Sequence, residues 1–190
     1  NNTNQLRMMV YASLLAALMA AGAFIYIPIG PVPIVLQNMF VFLAGLLLGS
    51  RWGLAGVAVY LLTGAGGLPV FAGGLGGIGR IVGPTGGYLM GYLPAVFVAG
   101  YISEKTGKRV GYDILAMICA TAVLYACGVT WLKILTGMTW SKTMLAGMYP
   151  FLVGDALKIV AAAVIAKALR PIIRVTRNPQ PVTRNEHHRN

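Results

Sequence analysis

The chain has 190 residues, of which 57% are hydrophobic and only 10% charged, against roughly 45–50% and about 25% in soluble domains. So little charge cannot clothe a soluble domain. This excludes a soluble enzyme, a disordered chain and a disulfide scaffold built on the two cysteines. The net charge of +11 sits in clusters at the ends of apolar runs, which matches the positive-inside bias and contact with anionic lipid rather than nucleic acid.

Arg7 opens a first apolar run over 8–27. Ala21, Gly22 and Ala23 resemble a signal-peptide cleavage site, but the rest of the chain is equally apolar, so the run reads as a first membrane helix. Pro28, Gly30, Pro31 and Pro33 end it, because proline removes a backbone donor and glycine loosens the chain. A second span covers 34–48, and Gly49, Ser50 and Arg51 make a tight turn. The third, 52–63, is short for a crossing that takes roughly 20 residues, so it is either tilted into a re-entrant segment or packed against neighbours. The stretch 64–83 is rich in glycine yet apolar. Irregular backbone at membrane depth survives where protein buries it or where it lines a cavity. A fourth span covers 84–102, with Pro84 in its first turn, a fifth 114–135 and a sixth 145–169. Cys119 and Cys127 lie about 12 Å apart along one helix, too far to bridge.

The expected fold is therefore an all-α integral membrane protein: six transmembrane helices in a single domain, 1–170, with a glycine-rich outer loop between helices 3 and 4. A basic, mobile cytoplasmic tail, 171–190, follows. With both termini in the cytoplasm, eleven Lys and Arg residues face inward against three outward, leaving Lys158 in the membrane. This asymmetry predicts a multi-pass protein of the cytoplasmic membrane with the glycine loop outside.

Asp155 and Lys158 are the sharpest chemical feature. They lie three residues apart in an apolar run, hence on one helix face, and charges inside a membrane are expensive and usually functional. As an adjacent acceptor and donor they suit a polar, uncharged head group such as an amide or urea; the bland alternative is a structural ion pair. Gly74, Gly76 and Gly79 fit a dinucleotide-loop spacing, but no strand–helix unit or acidic partner accompanies them. The glycine loop reads better as backbone that approaches a ligand, with N–H groups around Gly74, Gly76 and Gly77 forming an anion nest, or else as a tight cap. Arg80, the loop's only charge, meets either a carboxylate or water. Gly83, Gly87 and Gly91 form a small-residue face for close helix packing. Thr85 and Tyr88 beside them, Phe71 in the loop, and Gln37 early in the second span complete the candidate ligand contacts. Ala12 and Ala16, with Ala20, recur at four-residue spacing beside Ser13, Ala17 and Ala21. They pack internally or offer a smooth face to another membrane protein.

Catalysis finds no support. His187 and His188 lie in the tail, and of four acids three fall in loops or the tail. No nucleophile–base pair, phosphate-binding loop or metal cluster is recognisable, so no metal or cofactor is expected.

PVPIVLQNMFVFLAGLLLG (31–49), GLPVFAGGLGGIGRIVGPTGGYLMGY (67–92) and PFLVGDALK (150–158) resemble the BioY family, the biotin-binding S components of energy-coupling factor (ECF) vitamin transporters. The resemblance covers about residues 8–170. It implies six membrane helices, both termini inside, and a biotin pocket near the outer surface. It carries the ligand-contacting Asp and Lys onto Asp155 and Lys158. It also implies contact between the first helix, at Ala12 and Ala16, and a transmembrane T subunit, with ATPase subunits supplying the energy. A polar contact of the family in the glycine loop has no counterpart here, since this loop lacks Asn. The rival readings are an ion-coupled secondary transporter of a small carboxylate-bearing solute, with Asp155 as the proton site, and a membrane enzyme. The single membrane acid and missing inverted repeat count against the first, the missing catalytic set against the second.

Overall fold

The computed structural model describes residues 2–28 and 30–177. Helix α1 (Asn2–Phe24) leads into a two-stranded antiparallel ribbon, β1 (Tyr26–Ile27) and β2 (Ile34–Val35). The prolines between these strands forbid a helix, and the ribbon lets the chain reverse. Then come α2 (Gln37–Ala65), α3 (Ile78–Val82), α4 (Gly86–Lys105), α5 (Val110–Thr136), α6 (Trp140–Gly147), a 3-10 turn (Tyr149–Phe151) and α7 (Leu152–Arg177).

Helix α2 is not straight. Gly49 adopts φ 85° and ψ −179°, a conformation that L side chains avoid. The helix folds back there: a Cβ on Gly53 would stand 3.1 Å from the Ala44 backbone, although nine residues of straight helix span about 13.5 Å. Residues 37–48 and 50–65 are thus two arms packed side by side, so the short third span packs against neighbours. Glu104 secures the turn, accepting from the Ser50 N–H (3.2 Å) and hydroxyl (2.9 Å) at the start of the second arm.

Helix α2 packs between α1 and α4, α4 packs on α5, and α7 leans on α2 and α5. Small residues set these approaches. Gly87 and Gly91 face α5, where a Cβ on Gly91 would lie 3.0 Å from the Cys127 Cβ and one on Gly87 would overlap Trp131. Ala12 and Ala16 are buried, and Ala12 meets Gly56 of α2 with 3.1 Å between its carbonyl oxygen and an added Cβ. These two alanines pack internally; the small residues of α1 that point outward are Ser13, Ala17 and Ala21.

Other expectations shift. Pro150 and the turn at Tyr149–Phe151 split the apolar run 145–169, so the last long helix begins at Leu152. It also passes Pro171 and continues to Arg177, because neighbouring groups in a packed bundle tolerate the missing proline donor. The expected tail beyond 177 lies outside the described residues. Nor is Asp113 a loop acid. It sits fully buried in the first turn of α5, paired with Arg170 of α7. Arg170 Nη2 donates to Asp113 Oδ1 (2.7 Å), to the Ser103 hydroxyl (2.9 Å) and to the Leu46 carbonyl (3.3 Å). Sequence spacing cannot reveal a pair 57 residues apart, and a cation among other C-terminal cations looks like surface charge.

Much of the exterior is apolar. Leu14, Leu62, Phe97, Ile118, Val153, Leu157 and Val164 are all exposed. Helices α1, α2 and α5 are long and apolar enough to cross a bilayer. Such a surface belongs in lipid, so this is a membrane protein.

Candidate functional site

The polar cluster of this bundle lies at the end opposite Arg170, about 22 Å from it along α7. The turn at Tyr149–Phe151 starts α7 so that Asp155 falls in its first turn, where the free N–H groups of a helix favour a carboxylate. Asp155 is 4% exposed. Its Oδ1 accepts from Asn38 Nδ2 at 2.8 Å and from Lys158 Nζ at 3.0 Å, and its Oδ2 from the Tyr125 hydroxyl. Lys158 Nζ also donates to the Val35 carbonyl of β2 at 2.7 Å. The ammonium therefore ties α7 to the strand ribbon, while the carboxylate ties it to α2 and α5.

These groups border an open-mouthed cavity, concave and lined by aromatic side chains with a few polar groups, as small-molecule sites are. Gln37, Phe71, Arg80, Thr85, Tyr88, Asp155 and Lys158 all line it. Phe71 is held by an edge-on contact with Tyr60, ring centres 5.6 Å apart, and the Tyr60 hydroxyl donates to the Val70 carbonyl at 2.9 Å. Tyr88 presents its ring to the cavity, because its hydroxyl already donates to the Gly147 carbonyl at 2.6 Å. Thr85 Oγ1 donates to the Arg80 carbonyl at 3.4 Å. Arg80 lines the cavity, and among the described residues its guanidinium makes no hydrogen bond or ion pair.

Gly74, Gly76 and Gly77 stand outside this lining. The Gly74 N–H bonds to the Phe71 carbonyl (3.0 Å) and the Gly77 N–H to the Gly64 carbonyl (2.7 Å). Gly76 lies so close to Leu68 that a side chain would overlap its carbonyl. The loop therefore folds down on Phe71 rather than forming an anion nest from these three N–H groups, because those of Gly74 and Gly77 are already engaged.

Asn38 and Tyr125, both on the carboxylate, were missed by sequence reasoning. Asn38 carried a signal, being a second amide beside Gln37 at the start of an apolar run. Tyr125 carried none, since a lone tyrosine in a membrane helix is ordinary. Among the described residues no cluster of metal-binding side chains occurs.

Arranged this way, the site offers an ammonium and amides at one end, aromatic walls and an unpaired guanidinium. The BioY family pattern matches residues 1–175. The chain is 41% identical over 167 residues to the biotin transporter BioY of Thermotoga maritima, covering 88% of this chain and 98% of that protein. It is 42% identical over 158 residues to the probable biotin transporter BioY of Pyrococcus horikoshii, covering 83% and 93%. Its backbone is similar to the crystal structure of the S-component for biotin from an ECF-type ABC transporter, with TM-score 0.85, 29% identity, and 90% and 94% of the two chains covered.

Proposed function

This chain belongs to the BioY family, and we propose that it is the substrate-binding component of a biotin uptake system, capturing biotin at the outer face of the cytoplasmic membrane. The observation that carries this reading is the Asp155–Lys158 pair on a cavity wall, its carboxylate buried and its ammonium partly so. Lys158 has three N–H groups, two of them engaged by Asp155 and Val35. The third donates to the ureido oxygen of biotin. Asp155 has about four acceptor positions, three of them filled, and the fourth takes a ureido N–H. The bicyclic ring and valeryl chain pack on Phe71 and Tyr88, and the carboxylate meets Arg80.

Six crossings, formed by α1, the two arms of α2, α4, α5 and α7, place both termini in the cytoplasm and the cavity outside. The eleven-to-three distribution of Lys and Arg supports that orientation. Energy comes from partner subunits of an ECF assembly: a transmembrane T subunit, approached through the outward small residues Ser13, Ala17 and Ala21 of α1, and ATPases. The role is transport rather than catalysis, with no cofactor.

Equilibrium binding of radiolabelled biotin to the purified protein in detergent, without ATP or metal, tests the reading. Saturable binding well below micromolar biotin is expected, and folded protein that shows none at micromolar ligand overturns it.

A further inference from the structure

Asn38 is buried, at 6% exposure, and lines the cavity. Its orientation follows from chemistry. Asp155 Oδ1 lies 2.8 Å from the amide, and an ionised carboxylate only accepts, so the amide must present its nitrogen there. The amide oxygen is thereby turned away from Asp155. It is a buried acceptor with no protein partner among the described residues. Buried carbonyl oxygens in folded proteins are nearly always paired, so this one awaits a donor from whatever fills the cavity. The carboxylate behind it is almost saturated. Among the described residues the open capacity of these groups is thus one ammonium N–H on Lys158, one acceptor position on Asp155 and the Asn38 oxygen, and Gln37 on the same cavity wall adds Nε2, a buried donor likewise without a partner.

We propose that Asn38 is a specificity-determining residue, whose Oδ1 accepts one N–H of the ligand's head group while Asp155 accepts the other. This rests on the biotin reading above and sharpens it. The site then demands a cyclic urea with both nitrogens unsubstituted, reading two N–H donors with two different acceptors on α2 and α7. A secondary amide or lactam, with a single N–H, leaves one acceptor buried and unpaired.

The test compares biotin with its two mono-N-methylated ureido derivatives, on the parent protein and on Asn38→Ala. On the parent, each methylation is expected to weaken binding at least about tenfold, as loss of a buried hydrogen bond does. In Asn38→Ala the acceptor is gone and space is made. The penalty for one methyl isomer should fall about tenfold, and that for the other should stay. An Asn38 that only props up Asp155 lowers the affinity for all three ligands by one common factor, and that result overturns the proposal. So does a parent that binds biotin and both derivatives within about threefold, a comparison that needs no variant. Should Asn38→Ala not fold, Asn38→Ser replaces it, with the same isomer-selective change expected and a common factor again contradicting the role. A parent that binds biotin yet fails these comparisons rejects the role of Asn38 alone. Folded parent that binds no biotin rejects the transport reading, and this proposal with it.

Discussion

Replacing Lys158 by Ala removes the ammonium from Asp155 Oδ1, 3.0 Å away, and from the Val35 carbonyl, 2.7 Å away. Asp155 keeps Asn38 and Tyr125, so the carboxylate is not abandoned and the fold should survive. The ligand, however, loses its only ammonium donor at that end. A hydrogen bond to a charged group contributes about 1.5–3 kcal/mol, so Lys158→Ala should raise the Kd for biotin about 10- to 150-fold. Asp155→Asn is gentler. The new amide oxygen can face Asn38 and Lys158, and its nitrogen can face Tyr125, whose hydroxyl is able to accept. The bonds within the protein persist, while the Oδ2 acceptor offered to the ureido N–H and the charge that holds the ammonium are gone. A loss of about tenfold is expected, near the lower bound for Lys158→Ala. Lys142→Ala, an exposed position on α6 outside the cavity, should bind as the parent does. Isothermal titration on size-exclusion-purified protein measures all three. If Lys158→Ala and Asp155→Asn both bind within about threefold of the parent, the pair is structural and the assignment of the polar end fails.

At the opposite end, Asp113→Leu or Arg170→Met alone strands a buried charge and should lower stability by about 3–5 kcal/mol, whereas the double variant should recover much of it; thermal unfolding in detergent reads both, and additive losses would contradict the buried-pair account. Arg80→Ala should weaken biotin at least about tenfold but leave biotin methyl ester nearly unchanged; equal losses on both ligands would show that Arg80 does not meet the carboxylate. In a background carrying Cys119→Ala and Cys127→Ala, Gly79→Cys should react with an impermeant thiol reagent from outside, more slowly with biotin present, and Lys108→Cys only from inside. Gly79 tolerates the change, since nothing lies within 4 Å of an added Cβ, and reversed labelling would invert the topology.

What the sequence made legible was what depends on local spacing. Asp155 and Lys158 stand three apart, so any helix places them together, and Gly87 and Gly91 are four apart, so any helix gives them one face. Gly49 marked a turn because its neighbours on both sides were apolar runs of membrane type. The parts that escaped depend on which faces meet. The amide of Asn38 reaches a carboxylate 117 residues away, and Tyr125 reaches it from α5 across 30 residues. Ala12 and Ala16 illustrate the same limit. Their spacing defines a stripe but not its direction, and the close approach of Gly56 turns it inward. The glycine loop misled for a different reason. Its composition advertises free N–H groups, but tight turns close the bonds internally, and only the hydrogen-bond pattern reveals that.

Determination of the biotin-bound structure in detergent tests the central claim most directly. The account predicts ureido-ring density between α2 and α7, its oxygen within hydrogen-bonding distance of Lys158 Nζ and its valeryl carboxylate at Arg80. Density for biotin elsewhere, such as the apolar crevice between α5 and α7 lined by Thr121, Trp140 and Met148, with the Asp155–Lys158 cavity filled only by water, would contradict it.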